Sequence, residues 1–190
     1  HGGQKFFDVK GDLVCFGKGM GNGLPISAIS GSNEFMKIFD ELWVSSTNNS
    51  EALSLAGTIA VINEMKEKNT ISKCWDIGKK IFDGWNKITE ENNLNSRISG
   101  YPVRMNMQCY NSENKSSPEL KALILQEMIK NGIFISPSWL AISYSHTDED
   151  ITKTLDILDN ICKKIQNQVK NENYNEFLEG KMPSTVWTMK

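Results

Sequence analysis

Residues 12–28 read Asp12-Leu13-Val14-Cys15-Phe16-Gly17-Lys18-Gly19-Met20-Gly21-Asn22-Gly23-Leu24-Pro25-Ile26-Ser27-Ala28. A short apolar run, Leu13–Phe16, leads directly into four glycines that alternate over seven residues. Such a loop is free to take positive φ and to let a ligand approach the backbone closely. It fails as a P-loop, because Gly11 stands one position too far from Gly17 and Gly19 replaces the required hydroxyl residue. It also fails as a dinucleotide fingerprint. Counted from Gly17 the last glycine position is Asn22, and counted from Gly19 it is Leu24. What remains distinctive is Lys18. A primary amine in a glycine loop can form a Schiff base with an aldehyde once it is partly desolvated. A lone Gly-Lys pair would more simply be a solvated loop lysine.

The rest of the chain bounds the classes available. Its 190 residues suffice for a real core, and a hydrophobic share of 39% against 23% charged fits a globular protein. A net charge of -2 with scattered Lys and Arg gives no nucleic-acid signal. No apolar run is long enough to span a bilayer. Cys15, Cys74, Cys109 and Cys162 are widely spaced and form no CxxC pair, which argues against zinc and points to reduced thiols in a cytoplasmic protein. The sequons at Asn48 and Asn114 read as chance matches. The start at His1 rather than Met is a first hint of a fragment.

Periodicity places the other elements. Leu13–Phe16 and Ile26–Ile29 read as inner strands of a covered sheet. A short helix is expected over 32–43. A longer one follows from Ser50, its expected cap, to about Lys68. Ile77, Ile81, Trp85 and Ile88 predict a helix over 72–92, against which Gly78 and Gly84 count. Val103, Met105, Met107 and Cys109 alternate with polar residues, as in a half-buried strand. Ser117-Pro118-Glu119 opens a helix that Asn131-Gly132 closes. Strand candidates follow at Ile133–Ile135 and Leu140–Tyr144, then a last helix from Thr147. The order from residue 95 predicts a small α+β domain. The domains expected are 1–92 and 93–190, with the boundary inside the helix at 72–92 or just after it.

The segment 12–28 resembles the lysine segment of the class III aminotransferases, enzymes that use pyridoxal phosphate (PLP). Gly2-Gly3-Gln4 and Phe6-Phe7-Asp8-Val9 resemble its lead-in, and Gly11 stands where the family has proline. Ser45-Ser46-Thr47-Asn48-Asn49-Ser50-Glu51-Ala52-Leu53-Ser54-Leu55-Ala56 is similar to the family's Ser-Thr segment before a helix, with Asn48-Asn49 in place of a glycine pair. Ile142-Ser143-Tyr144-Ser145-His146-Thr147-Asp148-Glu149-Asp150-Ile151 resembles a strand-to-helix junction late in its small domain.

The resemblance implies an α/β fold-type I PLP-dependent transferase: the end of the large PLP-binding domain, then a C-terminal α+β small domain. It implies that Lys18 is the catalytic, Schiff-base lysine. It implies that Thr47 binds the cofactor phosphate of a neighbouring subunit in a homodimer that shares its PLP sites. The partners implied are small amino and carbonyl substrates, with neither nucleic acid nor membrane. Amino transfer between two molecules is the main expectation. The alternative within the family is a glutamate-1-semialdehyde aminomutase, which moves the amino group within one molecule. A different-class alternative is a non-catalytic fragment or interaction module, because the resemblance puts other cofactor contacts upstream of His1. His146 reads as a packing or capping residue, and Arg104 as a surface residue of its strand.

Overall fold

The computed structural model describes residues 2–182, which form two compact units, one reaching Thr70 and one starting at Ile71. The first unit opens with a short helix α1 (Gly3–Phe7). Strand β1 (Leu13–Phe16) then pairs antiparallel with β2 (Ala28–Gly31), Leu13 opposite Gly31 and Phe16 opposite Ala28. The expected strand at Ile26–Ile29 thus lies two residues further on. Nor are β1 and β2 inner strands among the described residues, since Leu13, Phe16 and Ile29 are each about half exposed. The helix expected over 32–43 is only α2 (Asn33–Met36), running into a 3-10 turn, Lys37–Asp40.

Helix α3 (Ala52–Glu67) ends close to its expected limit, but its cap is Glu51 and not Ser50. Ser50 takes a positive φ of 61°. The side chain of Glu51 accepts from the free N–H groups of Leu53 at 2.9 Å and Ser54 at 2.7 Å. An acid there satisfies orphan donors and complements the helix dipole together. The burial of α3 is inverted. Ser54 and Thr58 are buried, whereas Leu53, Leu55 and Ile59 are exposed.

The second unit holds the main core. Helix α4 (Thr70–Glu91) buries Ile77, Ile81 and Trp85 there. That packing draws most of the helix into the second compact unit, which starts at Ile71. The two glycines that argued against the helix are used for close approach. A Cβ on Gly78 would lie 2.0 Å from the carbonyl oxygen of Pro102, and one on Gly84 would lie 2.5 Å from Cδ1 of Leu155.

A three-stranded antiparallel sheet follows in the order β3-β4-β5, comprising β3 (Ser96–Tyr101), β4 (Arg104–Cys109) and β5 (Leu140–Ala141). Strand β4 alternates as expected, with Met105, Met107 and Cys109 buried. Strand β3 went unforeseen, and Ile133–Ile135 forms no strand. Helix α5 (Pro118–Lys130) has the expected cap, the Ser117 hydroxyl accepting from Leu120 N–H at 3.2 Å. Helix α6 (Asp148–Lys164) begins with a complete capping box between Thr147 and Asp150. A short α7 (Gln166–Asn171) and a 3-10 turn, Tyr174–Phe177, follow. Burial pushes the thiols of Cys109 and Cys162 up to about 11 and about 12. Both are inert structural cysteines, as expected.

Candidate functional site

The glycine loop leaves β1 as a tight turn. Gly17 is extended, and Lys18–Met20 form one turn of 3-10 helix. The carbonyl of Lys18 accepts from Gly21 N–H and Asn22 N–H, both at 3.1 Å. Lys18 itself adopts φ 52°, in the left-handed region that non-glycine residues rarely enter. Such outliers cluster at functional sites, where the surroundings hold them in place. Gly21 is required sterically: a Cβ there would lie 2.7 Å from the Leu24 carbonyl oxygen. The Lys18 side chain is exposed, and its ammonium makes no hydrogen bond or ion pair with any described residue. Its backbone is held by its own turn.

The 3-10 turn of Lys18 packs against α3. Gly57 on α3 allows this approach, since a Cβ there would lie 2.1 Å from Cδ1 of Leu24, at the loop's exit. The segment before α3 is a turn in which Asn49 N–H donates to Ser46 at 3.0 Å and Glu51 N–H to Asn48 at 3.3 Å. Thr47 sits on this turn, exposed to solvent. The first unit therefore brings together the lysine turn and the helix that follows the Ser-Thr segment. Sequence reasoning matched Glu51 to the helix dipole but gave the cap to Ser50. An acid immediately before an apolar helical run was the available signal. Its carboxyl is held below the usual range by the Ser54 hydroxyl and by the N–H groups of Ser54 and Leu53.

The other candidates are structural. His146 Nδ1 accepts from Ser143 N–H at 3.1 Å, closing the turn before α6. Arg104 lies with its guanidinium 5.5 Å from the ring centre of Trp139. Among the described residues, no group of three His, Cys, Asp or Glu side chains could hold a metal. No helix there is long and apolar enough to cross a membrane.

Comparison with known proteins agrees with this local picture. The pattern of the family described as "Aminotransferase class-III" matches residues 3–162. Glutamate-1-semialdehyde 2,1-aminomutase of Alkaliphilus oremlandii is 30% identical over 167 residues, 83% of this chain and 39% of the relative. The aminomutase of Methanosphaera stadtmanae is 29% identical, over 86% of this chain and 42% of the relative. The chain thus spans about two fifths of the length of these curated relatives. A β-phenylalanine aminotransferase from Variovorax paradoxus superposes with a TM-score of 0.78 at 20% identity, over 88% of this chain and 42% of that one. A structure described as "Transaminase with PLP bound" superposes at 0.77 and 18% identity, over 89% and 42%. The fold is that of part of a fold-type I PLP-dependent transaminase, and the chain belongs to the class III aminotransferase family.

Proposed function

We propose that the whole protein is a PLP-dependent aminotransferase in which Lys18 is the catalytic lysine. The observation that carries this reading is the Lys18 turn: a free amine, at a strained φ of 52°, in a glycine loop after a strand, inside the span matched by the family. PLP, when bound, supplies the electron sink for carbanion chemistry at an amino-bearing carbon. Lys18 would hold the cofactor through its amine and, once free, carry a proton to and from the substrate carbon. A single amine on a four-carbon stem can serve both steps because it is compact and rotatable. The residues present fit this use, since no described acid pairs with Lys18 and competes for its amine.

Thr47 would give its hydroxyl to a cofactor phosphate across a homodimer interface. Its exposure on the turn before α3 supports that role. Within this reading residues 1–92 are the end of the PLP-binding domain and residues 93–190 the small domain. The substrates are a small amino donor and a carbonyl acceptor, with neither nucleic acid nor membrane as partner. The location is cytoplasmic, in keeping with four unpaired cysteines.

The names of the curated relatives favour one second reading, an intramolecular aminomutase. A direct test supplies the full-length PLP-loaded protein with amino donors alone and then with glutamate 1-semialdehyde. Donor-driven loss of the cofactor's aldehyde absorbance, completed by a separate carbonyl acceptor, is expected for the aminotransferase. Turnover of glutamate 1-semialdehyde without any second substrate would assign the mutase. Thr47→Ala should weaken PLP affinity by about 2 kcal/mol, the scale of a hydrogen bond to a charged group.

A further inference from the structure

Gly57 lies in the interior of α3, where alanine would stabilise a helix by about 1 kcal/mol more. Ser54 and Thr58, its neighbours on the same helix face, are buried. The space a side chain would fill at Gly57 is taken by Leu24. A Cβ there would lie 2.1 Å from Cδ1 of Leu24 but 3.6 Å from its Cγ, which is ordinary contact. The seat is thus shaped to the end of this one side chain. Leu24 in turn is tied to Lys18. Its N–H donates to the Gly21 carbonyl at 3.2 Å, and Gly21 N–H donates to the Lys18 carbonyl at 3.1 Å. Among residues 22–25 only Leu24 is partly buried, whereas Asn22, Gly23 and Pro25 are exposed.

The Lys18 turn therefore has two supports: β1 holds its start, and the Leu24 seat on α3 holds its exit. We propose that Gly57 is a positioning residue for the Lys18 amine, acting through Leu24. This rests on the reading of Lys18 as the cofactor lysine. Lys18 keeps its unfavourable φ of 52° only while its surroundings hold it there. An amine that must meet one carbon of a bound aldehyde loses rate steeply when its attachment point shifts by ~1 Å. A methyl group at position 57 pushes Leu24 out of its seat and releases the exit of the loop. The end of a leucine side chain swings aside at little cost, so the fold survives while the aim of the amine is lost.

The test mixes PLP-stripped full-length protein with PLP and follows the absorbance change as the amine captures the aldehyde carbon and water leaves. Borohydride then fixes the link, and peptide mapping locates it. G57A should capture PLP several-fold more slowly than the wild type while its thermal melt stays close to the wild-type value. L24V deletes Cδ1 but keeps an atom at the Cγ position. Alone it leaves part of the seat empty and should slow capture too. In G57A/L24V the new methyl group meets that atom at ordinary contact distance, so most of the lost rate should return. Capture by G57A at the wild-type rate would overturn the proposal, as would a double variant no faster than G57A. Label on a lysine other than Lys18 in the wild type would overturn the reading of Lys18 itself, and this proposal with it.

Discussion

At the residue scale, several positions do work that their identity alone does not announce. Lys18 stood out in the sequence because it is the one amine inside an alternating glycine run that follows an apolar run. Its positive φ was not legible, since only the closed turn imposes it. Gly78 shows the converse. Read along the chain it argues against a helix, yet the folded unit needs a hydrogen there so that the backbone of Pro102 can approach. Gly78→Ala should therefore destabilise the protein by about 1–3 kcal/mol, the scale of overpacking a tight contact. Gly84→Ala should cost less, because its neighbour is the movable end of Leu155. Urea midpoints for the two variants check the order. Equal midpoints for Gly78→Ala and the wild type would show that the close approach is absent.

At the element scale, local capping chemistry carried furthest. The starts of α5 and α6 follow from Ser117-Pro118 and from Thr147 with Asp150, and both caps form. Thr147→Ala should cost about 1 kcal/mol, the usual value of a lost N-cap. Thr147→Ser should recover most of that loss in the same thermal melts. Elements fixed by tertiary pairing were less legible. Strand β3 reads Ser-Arg-Ile-Ser-Gly-Tyr, with only Ser96 and Ile98 buried, so its alternation is too weak to declare itself. It exists because β4 pairs with it along its whole length. The run Ile133–Ile135 has β-branched residues but gains no ladder partner. The cap of α3 was misplaced by one residue because Ser50 and Glu51 are both plausible caps. The positive φ of Ser50 leaves the role to Glu51.

At the scale of the whole molecule, the second unit carries the core and a buried ionic node. Glu127 is 4% exposed, with Lys164 at 2.5 Å and Lys130 at 3.4 Å. Burial alone would raise its carboxyl, but Lys164, Gln126 and Lys130 together pull it below the ordinary range. A carboxyl depressed in the folded state contributes stability that is complete above its unfolded value, about 4.3. That stability is lost as pH falls through the lower folded value. Glu127→Gln should thus lower the urea midpoint at neutral pH and flatten its decline below about pH 4. An unchanged acid limb in the variant would place that pH dependence elsewhere. The family and fold were legible because three short segments keep the right order along the chain. The role of Lys18 is open to a direct chemical test, borohydride reduction of the full-length PLP-loaded protein followed by peptide mapping. The pyridoxyl group is expected on Lys18 and absent from the Lys18→Ala variant; a pyridoxyl group on another lysine of the wild type would refute the assignment.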